Sequence, residues 1–425
     1  MFIISIVLAL IYFLCSLLIS INWINDIACY FGYFLAIYLV TFVALIPGFN
    51  YAFTFFSLLF QKKEKQKCIQ QEKDVTVLIP VYNCKDHIQE TIKSIQCQEY
   101  CGDISIIMIN DGSTDGSLEI LKDIEQKYPN VTLIESAHIS KSAALNKGLE
   151  CVHTEYVITV DSDTVLHPLA IRNIMKKLTH SHSKTVATAG CIFTKSTKRN
   201  FVAKLQEWDY TLGIFGVKMV QSMYHSTLVA QGAFSAYQTC ALKEIGGWKN
   251  CVGEDIVLTW QLLAKGYHVN FAQNAIAFTE IPTTYKTLGK QRKRWARGMI
   301  EAFKETKAIF SKKLSFPARI LMFLNLFFPF IDLALLIFVP LGLILLAFKN
   351  PLLISWISLL VIPLSLLLCL LIELKRNACL KSIQCKLEKR SKLAFLFYIL
   401  LYTFFLTPFC LIGYICELFH FKKAW

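Results

Sequence analysis

The chain has 425 residues, 55% of them hydrophobic, and a mean hydropathy of +0.47, which excludes an ordinary soluble globular protein of this length. Its 44 Lys and Arg exceed its 30 Asp and Glu, for a net charge of +14. The basic runs abut apolar spans and no nucleic-acid-binding fold accompanies them, so the excess points to membrane topology and anionic ligands, with no nucleic acid as partner. Fifteen Cys, scattered without paired CxxC spacing, fit reduced thiols in a cytoplasmic setting.

Residues 2–22 are uncharged and long enough to cross a hydrocarbon core of about 30 Å. They lack a basic n-region and a small-residue cleavage site, and a second uncharged run over 28–60 follows, so a span is expected rather than a signal peptide. That run ends in QKKEKQK, a basic stop that predicts a cytoplasmic location for residue 61 onward.

Between 74 and 315 strand-like and helix-like segments alternate. Val75–Val81, Ile104–Asn110, Val131–Glu135 and Tyr156–Val160 are short continuous apolar runs, suited to parallel strands buried on both faces. Polar-patterned stretches of helical length, 85–97, 115–127 and 140–151, lie between them, which predicts a doubly wound sheet. From about 320 the apolar character returns in 320–348, 351–373 and 394–418, with a basic stretch between the last two. The expected layout is two transmembrane helices over 1–60, a cytoplasmic α/β domain over 61–285, amphipathic interface helices over 286–319 and about three transmembrane helices over 320–425.

Asp161-Ser162-Asp163 directly follows the strand Tyr156–Val160, where ligands bind in open α/β sheets. Carboxylates at i and i+2 there suit a hard divalent cation, Mg²⁺ or Mn²⁺, bridging two phosphates. NDGSTDGS, residues 110–117, ends another buried strand and opens a helix; Asp111 at the strand tip is placed toward a nucleotide. Lys141, at the start of a helix, is placed to reach a diphosphate with help from the helix dipole. Gly253-Glu254-Asp255 precedes an amphipathic helix, and Asp255 or Glu254 supplies a general base for deprotonating an attacking hydroxyl. Gln291, Arg294 and Trp295, at i, i+3 and i+4, share one helical face that pairs an indole platform with an amide and a guanidinium. On that reading Lys290, Arg292, Lys293 and Arg297 point toward lipid headgroups. Asp332, inside an apolar run, needs a polar lumen or a partner.

Taken together, VLIPVYN, NDGSTDGS, KSAALNKG, VDSDT, GAFSAY, GEDIVLTW and QRKRW, in this order, resemble the processive family 2 glycosyltransferases, which include cellulose, chitin, hyaluronan and poly-β-1,6-N-acetylglucosamine synthases. The resemblance covers about 74–298. It implies an α/β type A glycosyltransferase domain, a doubly wound mixed sheet inserted between transmembrane helices, in a multi-pass protein of the cell membrane. It implies a UDP-sugar donor cradled by Pro80, Tyr82, Asn83 and Asp111, diphosphate and metal at Asp161 and Asp163, and Asp255 as base. Gln291, Arg294 and Trp295 would hold the leaving UDP and the acceptor end. Chain length and span layout look most like the poly-N-acetylglucosamine synthases, so the expected reaction is inverting, processive transfer of N-acetylglucosamine from its UDP donor to an exported polysaccharide. Alternatives are non-processive transfer to a membrane lipid, and a chitin- or hyaluronan-like polymer. Membrane lipids and a small membrane subunit are the further partners the resemblance implies. Two departures stand out: Gly253 where those synthases usually carry Thr, and Gln238-Thr239 where a basic pair is common.

Overall fold

The computed structural model describes residues 1–61, 72–195, 200–353 and 356–421, with the side chains of 356–360 left out. The basic stop beyond Gln61 therefore lies outside the described residues.

Eight strands form one mixed sheet: β1 (Val75–Val81), β2 (Ile104–Asp111), β3 (Val131–Ser136), β4 (Tyr156–Val160), β5 (Thr164–Leu166), β6 (Thr185–Lys195), β7 (Phe234–Gln238) and β8 (His268–Glu280). Their spatial order is β3-β2-β1-β4-β7-β6-β8-β5. The first four run parallel, as the buried apolar runs predict, and β7 is antiparallel to both β4 and β6. Helices Ile88–Gln96, Ser117–Lys127 and Lys141–Glu150 connect them. Strand residues alternate between two cores. Val77 and Ile79 join Ile106, Met108, Ile88 and Leu121 on one face, while Leu78, Ile107 and Ile109 join Ala144 and Leu145 on the other. Continuous apolar strands are what a sheet covered on both faces requires.

The chain starts at β1 in the middle of the sheet, moves outward to β3, then crosses back to β4. Such a reversal leaves a crevice at the carboxyl ends of β1 and β4, and there the candidate residues collect.

Four helical stretches among the described residues are long and apolar enough to cross a membrane: Phe2–Phe31, Tyr33–Leu59, Phe316–Ala347 and Lys392–Leu418. The expected segment 351–373 falls partly in the helix Trp356–Ser382 and partly outside the described residues. The helices are tied by polar contacts as well as packing. Trp23 Nε1 donates to the Leu352 carbonyl at 2.7 Å and the Tyr38 hydroxyl to that of Phe330 at 2.9 Å. Asp332 is buried and accepts from the hydroxyls of Tyr414, at 2.9 Å, and Thr407, at 3.3 Å, so a neighbouring helix supplies its partner.

The long helix Tyr285–Thr306, opened by a Thr284–Thr287 capping box, packs directly on the terminal helix Thr403–Leu418. A Cβ at Gly289 would sit 2.4 Å from the Phe409 ring, and one at Gly413 2.5 Å from the Lys293 carbonyl oxygen. This contact overturns one expectation. Arg292 and Arg297 do not face lipid headgroups: both are buried, Arg292 against Asp209 at 2.5 Å and Arg297 against Glu417 at 2.8 Å. Carboxylates on facing helices claim them, and spacing along one helix carries no sign of that.

Candidate active site

Three loops close over the carboxyl ends of β1, β2 and β4. After β1, Asn83 takes a positive φ of 49°; its Oδ1 accepts from Thr114 N–H at 2.8 Å, and its own N–H donates to Ser113 Oγ at 3.1 Å. Cys84 N–H donates to Ser117 Oγ and Lys85 N–H to Asp115 Oδ2. The VYN and NDGSTDGS loops are thus sewn into one surface, with Gly112 and Gly116 at φ 73° and 91° making the turns.

Asp111 is buried at the tip of β2. Its carboxylate accepts from Ile139 N–H at 3.1 Å and lies 3.1 Å from His138 Nδ1. The His138 ring stacks on Tyr82, with centroids 4.1 Å apart and planes 13° off parallel. His138 was missed by motif reading, although its position two residues past β3 marks it by the same strand-end rule that marks Asp161. Pro80, half-buried, is the penultimate residue of β1 beneath this surface.

The acidic cluster sits across the crevice. Asp161 forms an ion pair with Lys141 Nζ, and Glu254 Oε1 lies 3.8 Å from the same ammonium. Gly232 leaves the room: a Cβ there would be 2.7 Å from Lys141 Nζ. Burial by itself lowers the pKa of Lys141, but the charges of Asp161 and Glu254 outweigh it and raise it. Asp163 Oδ1 accepts from Thr279 and Thr164 at 3.2 and 3.3 Å. Burial and then the Asp161 charge push its carboxyl upward, against Lys141 and the two threonines. Burial, reinforced by Asp255, raises Glu254 to about 7 against the charges of Lys141 and Arg294.

Asp255 Oδ1 accepts from Ile256 N–H at 2.8 Å. It also acts on Lys218, a buried lysine that desolvation brings down to about 7 and Asp255 partly restores. Lys218 stands alone in the apolar stretch TLGIFGVKMVQ, which was its one visible signal. The loop that carries Gly253, Glu254 and Asp255 is docked on the helix Tyr285–Thr306. Gly253 N–H donates to Glu301 Oε2 at 3.0 Å, and a Cβ on Gly253 would lie 2.6 Å from Gly298 Cα. That contact accounts physically for glycine at 253.

On the same helix Arg294 is exposed and reaches Glu254 through its field, Gln291 lies against Tyr210 with its buried amide oxygen unpartnered among the described residues, and Trp295 is half-buried. Arg292 supports the indole, its guanidinium carbon 4.1 Å from the Trp295 ring centroid. Among the described residues no ion pair ties Arg294 to a carboxylate. The structure therefore joins Lys141, Asp161 and Glu254 by contact, and Arg294 and Asp255 to them by field alone.

Two carboxylates at a strand end, with further oxygen ligands left for phosphates and water, fit the way Mg²⁺ or Mn²⁺ is usually held beside a nucleotide. The upward push on Asp163 by Asp161 is a repulsion that a divalent cation would relieve.

Residues 72–298, more than half the chain, match the model of the glycosyltransferase-like family 2. The chain belongs to glycosyltransferase family 2. This transferase is 31% identical over 260 residues to the poly-β-1,6-N-acetyl-D-glucosamine synthase of Staphylococcus epidermidis RP62A, a match covering 60% of the chain and 61% of that protein. Over 256 residues it is 28% identical to the enzyme of the same name from Staphylococcus aureus MSSA476, with the same coverages. The matched region thus spans under two thirds of these relatives' length. Among solved structures, the mannosyltransferase PcManGT from Pyrobaculum calidifontis, determined with GDP-Man and Mn²⁺, superposes with a TM-score of 0.62 at 17% identity. That superposition covers 94% of this chain and 99% of the other. The type A fold is accordingly shared; at that identity the likeness speaks for the fold alone.

Proposed function

We propose that this family 2 enzyme transfers N-acetylglucosamine from UDP-N-acetylglucosamine to a growing β-linked polysaccharide, processively and with inversion, on the cytoplasmic face of the membrane. The observation that carries the reading is the meeting of Lys141, Asp161 and Glu254, with Asp255 beside them, at the mouth of β4. The N-acetylglucosamine polymer named for its relatives supplies the sugar.

Tyr82 and His138 offer a stacked aromatic surface for the base, and Asn83 and Asp111 polar edges beside it. Asp161 and Asp163 would hold the divalent cation, which, when bound, neutralises diphosphate charge. In the transfer an acceptor hydroxyl oxygen bonds to the anomeric carbon from the face opposite UDP. The bond from that carbon to the diphosphate oxygen breaks, and its electron pair leaves with UDP. Asp255 takes the hydroxyl proton, a contribution of about 10²–10⁴-fold. Lys141 and Arg294 meet the charge gathering on the departing diphosphate. Trp295, with Gln291 beside it, offers a platform for the acceptor sugar, and the C-terminal helices a route across the membrane.

The test is incorporation from radiolabelled UDP-N-acetylglucosamine by membranes containing the full chain, with Mg²⁺, with Mn²⁺ and with EDTA. A metal-dependent product of high mass that a β-1,6-N-acetylglucosaminidase degrades is expected. A product of one sugar on lipid would overturn processivity, and incorporation from another UDP-sugar alone would overturn the donor.

A further inference from the structure

Away from the crevice, where the helix Trp356–Ser382 turns back toward the helix starting at Lys392, the chain lines an open cavity of about 1060 Å³. Six basic side chains line it against two acidic ones. Exposed lysines beside membrane helices are ordinary topology. The two arginines are not: Arg376 and Arg390 are only 6% and 7% exposed. Both lean on the single carboxylate of Glu373, Arg376 at 2.9 Å. Among the described residues, buried Arg376 Nε has no hydrogen-bond acceptor.

Guanidinium groups do not shed their protons, so two of them on one carboxylate leave a positive charge uncompensated in a poorly hydrated place. Other contacts hold the arginines without neutralising them. Arg390 donates to Thr211 Oγ1 at 2.9 Å and stacks 3.7 Å from the centroid of Trp208, whose own Nε1 donates to the Ser391 carbonyl. Two buried guanidinium groups sharing one carboxylate, with a lysine rim, are complementary to a phosphate, which accepts from arginine forks in two directions. The depth suits a lipid. Helix Trp356–Ser382 turns from apolar to charged at Glu373, and Lys392 begins a candidate span, so the cavity lies at headgroup level.

We propose that this cavity binds a phosphate group, carried by an anionic lipid headgroup or by a soluble phosphate. Trp208 in its wall is followed by Asp209, the partner of Arg292, so occupancy bears on the helix that carries Gln291, Arg294 and Trp295.

Purified full-length protein in dodecylmaltoside is melted with increasing phosphatidylglycerol, with phosphatidylcholine as control, and separately with inorganic phosphate. Stabilisation by the anionic lipid and not the zwitterionic one is expected, with half-saturation displaced about tenfold or more in Arg390→Gln. Lys386→Gln/Lys389→Gln, which alters only exposed side chains, should displace it about fivefold or more and decides the matter if Arg390→Gln does not fold. The same variant-sensitive stabilisation by inorganic phosphate alone would assign the site to a soluble ligand. No stabilisation by either probe, or stabilisation that these variants leave unchanged, overturns the site.

Discussion

Asp209 and Arg292 form a buried, charged pair directly under Trp295. Arg292 reaches Asp209 Oδ2 at 2.5 Å, with the Tyr402 hydroxyl 3.5 Å away, and both side chains are nearly water-free, at 10% and 13% exposed. Removing one partner of such a pair costs about 3–5 kcal/mol, since the other stays buried and uncompensated. Asp209→Asn should fall at the upper end, because a guanidinium cannot neutralise itself. Arg292→Met strands the Asp209 carboxylate in turn, and it also loses about 0.5–2 kcal/mol of cation–π attraction to Trp295. At about 2–4 °C per kcal/mol, the Asp209→Asn melting temperature in detergent should drop on the order of 10 °C. Asp209→Leu/Arg292→Met removes both charges and should recover most of that loss, yet leave sugar transfer impaired because the indole has lost its support. Singles within a degree of the parent, or a double that is worse than additive, would show that the pair is hydrated and that Trp295 is held by something else.

Asp255→Asn should lower turnover about 10²–10⁴-fold while UDP binding, followed by calorimetry, changes little; unchanged turnover would remove Asp255 from the base role. Glu254 holds its proton more tightly when folded, at about 7 against an ordinary 4.5, so its ionisation costs stability as pH rises through that window. Glu254→Gln should therefore melt higher than the parent at pH 8 and alike at pH 5; an equal difference at both values would sink the reasoning. Gly253→Thr forces a side chain against Gly298 Cα, and a cost of about 1–3 kcal/mol with a displaced base loop is expected. Its check is the melting temperature together with kcat; a variant as stable and active as the parent would show that the two helices can part.

The sheet was readable because burial on both faces erases the alternation of a half-exposed strand, and β1, β2 and β4 are just such runs, while β3 at the edge is apolar but only partly covered. The second half was not. β5 spans three residues, and β6 to β8 mix parallel with antiparallel pairing, an arrangement decided by contacts far apart in sequence. The same divide runs through the site. Asp111, Asp161 and Lys141 sit at strand ends or helix starts, positions that local pattern announces. His138 also lies just past a strand end, but its part shows only through its stacking partner Tyr82, and Arg292 needed Asp209, a residue 83 positions away. Helical spacing along QRKRW assigned lipid to Arg292 and Arg297, where carboxylates of facing helices stand instead.

One helix, Tyr285–Thr306, explains why these distant elements act as a unit. Its Gly298 and Glu301 receive the base loop, its Arg294 adds charge opposite Glu254, and Trp295 rests on Arg292. Along its outer side Gly289 and Arg297 are locked to the terminal membrane helix through Phe409 and Glu417. Glycine contacts of this closeness and a buried ion pair leave little freedom to slide. A shift of the terminal helix therefore has to carry the base loop and the indole platform with it. Under the proposed function, the element placed at the acceptor end and the element that borders the membrane would then move together.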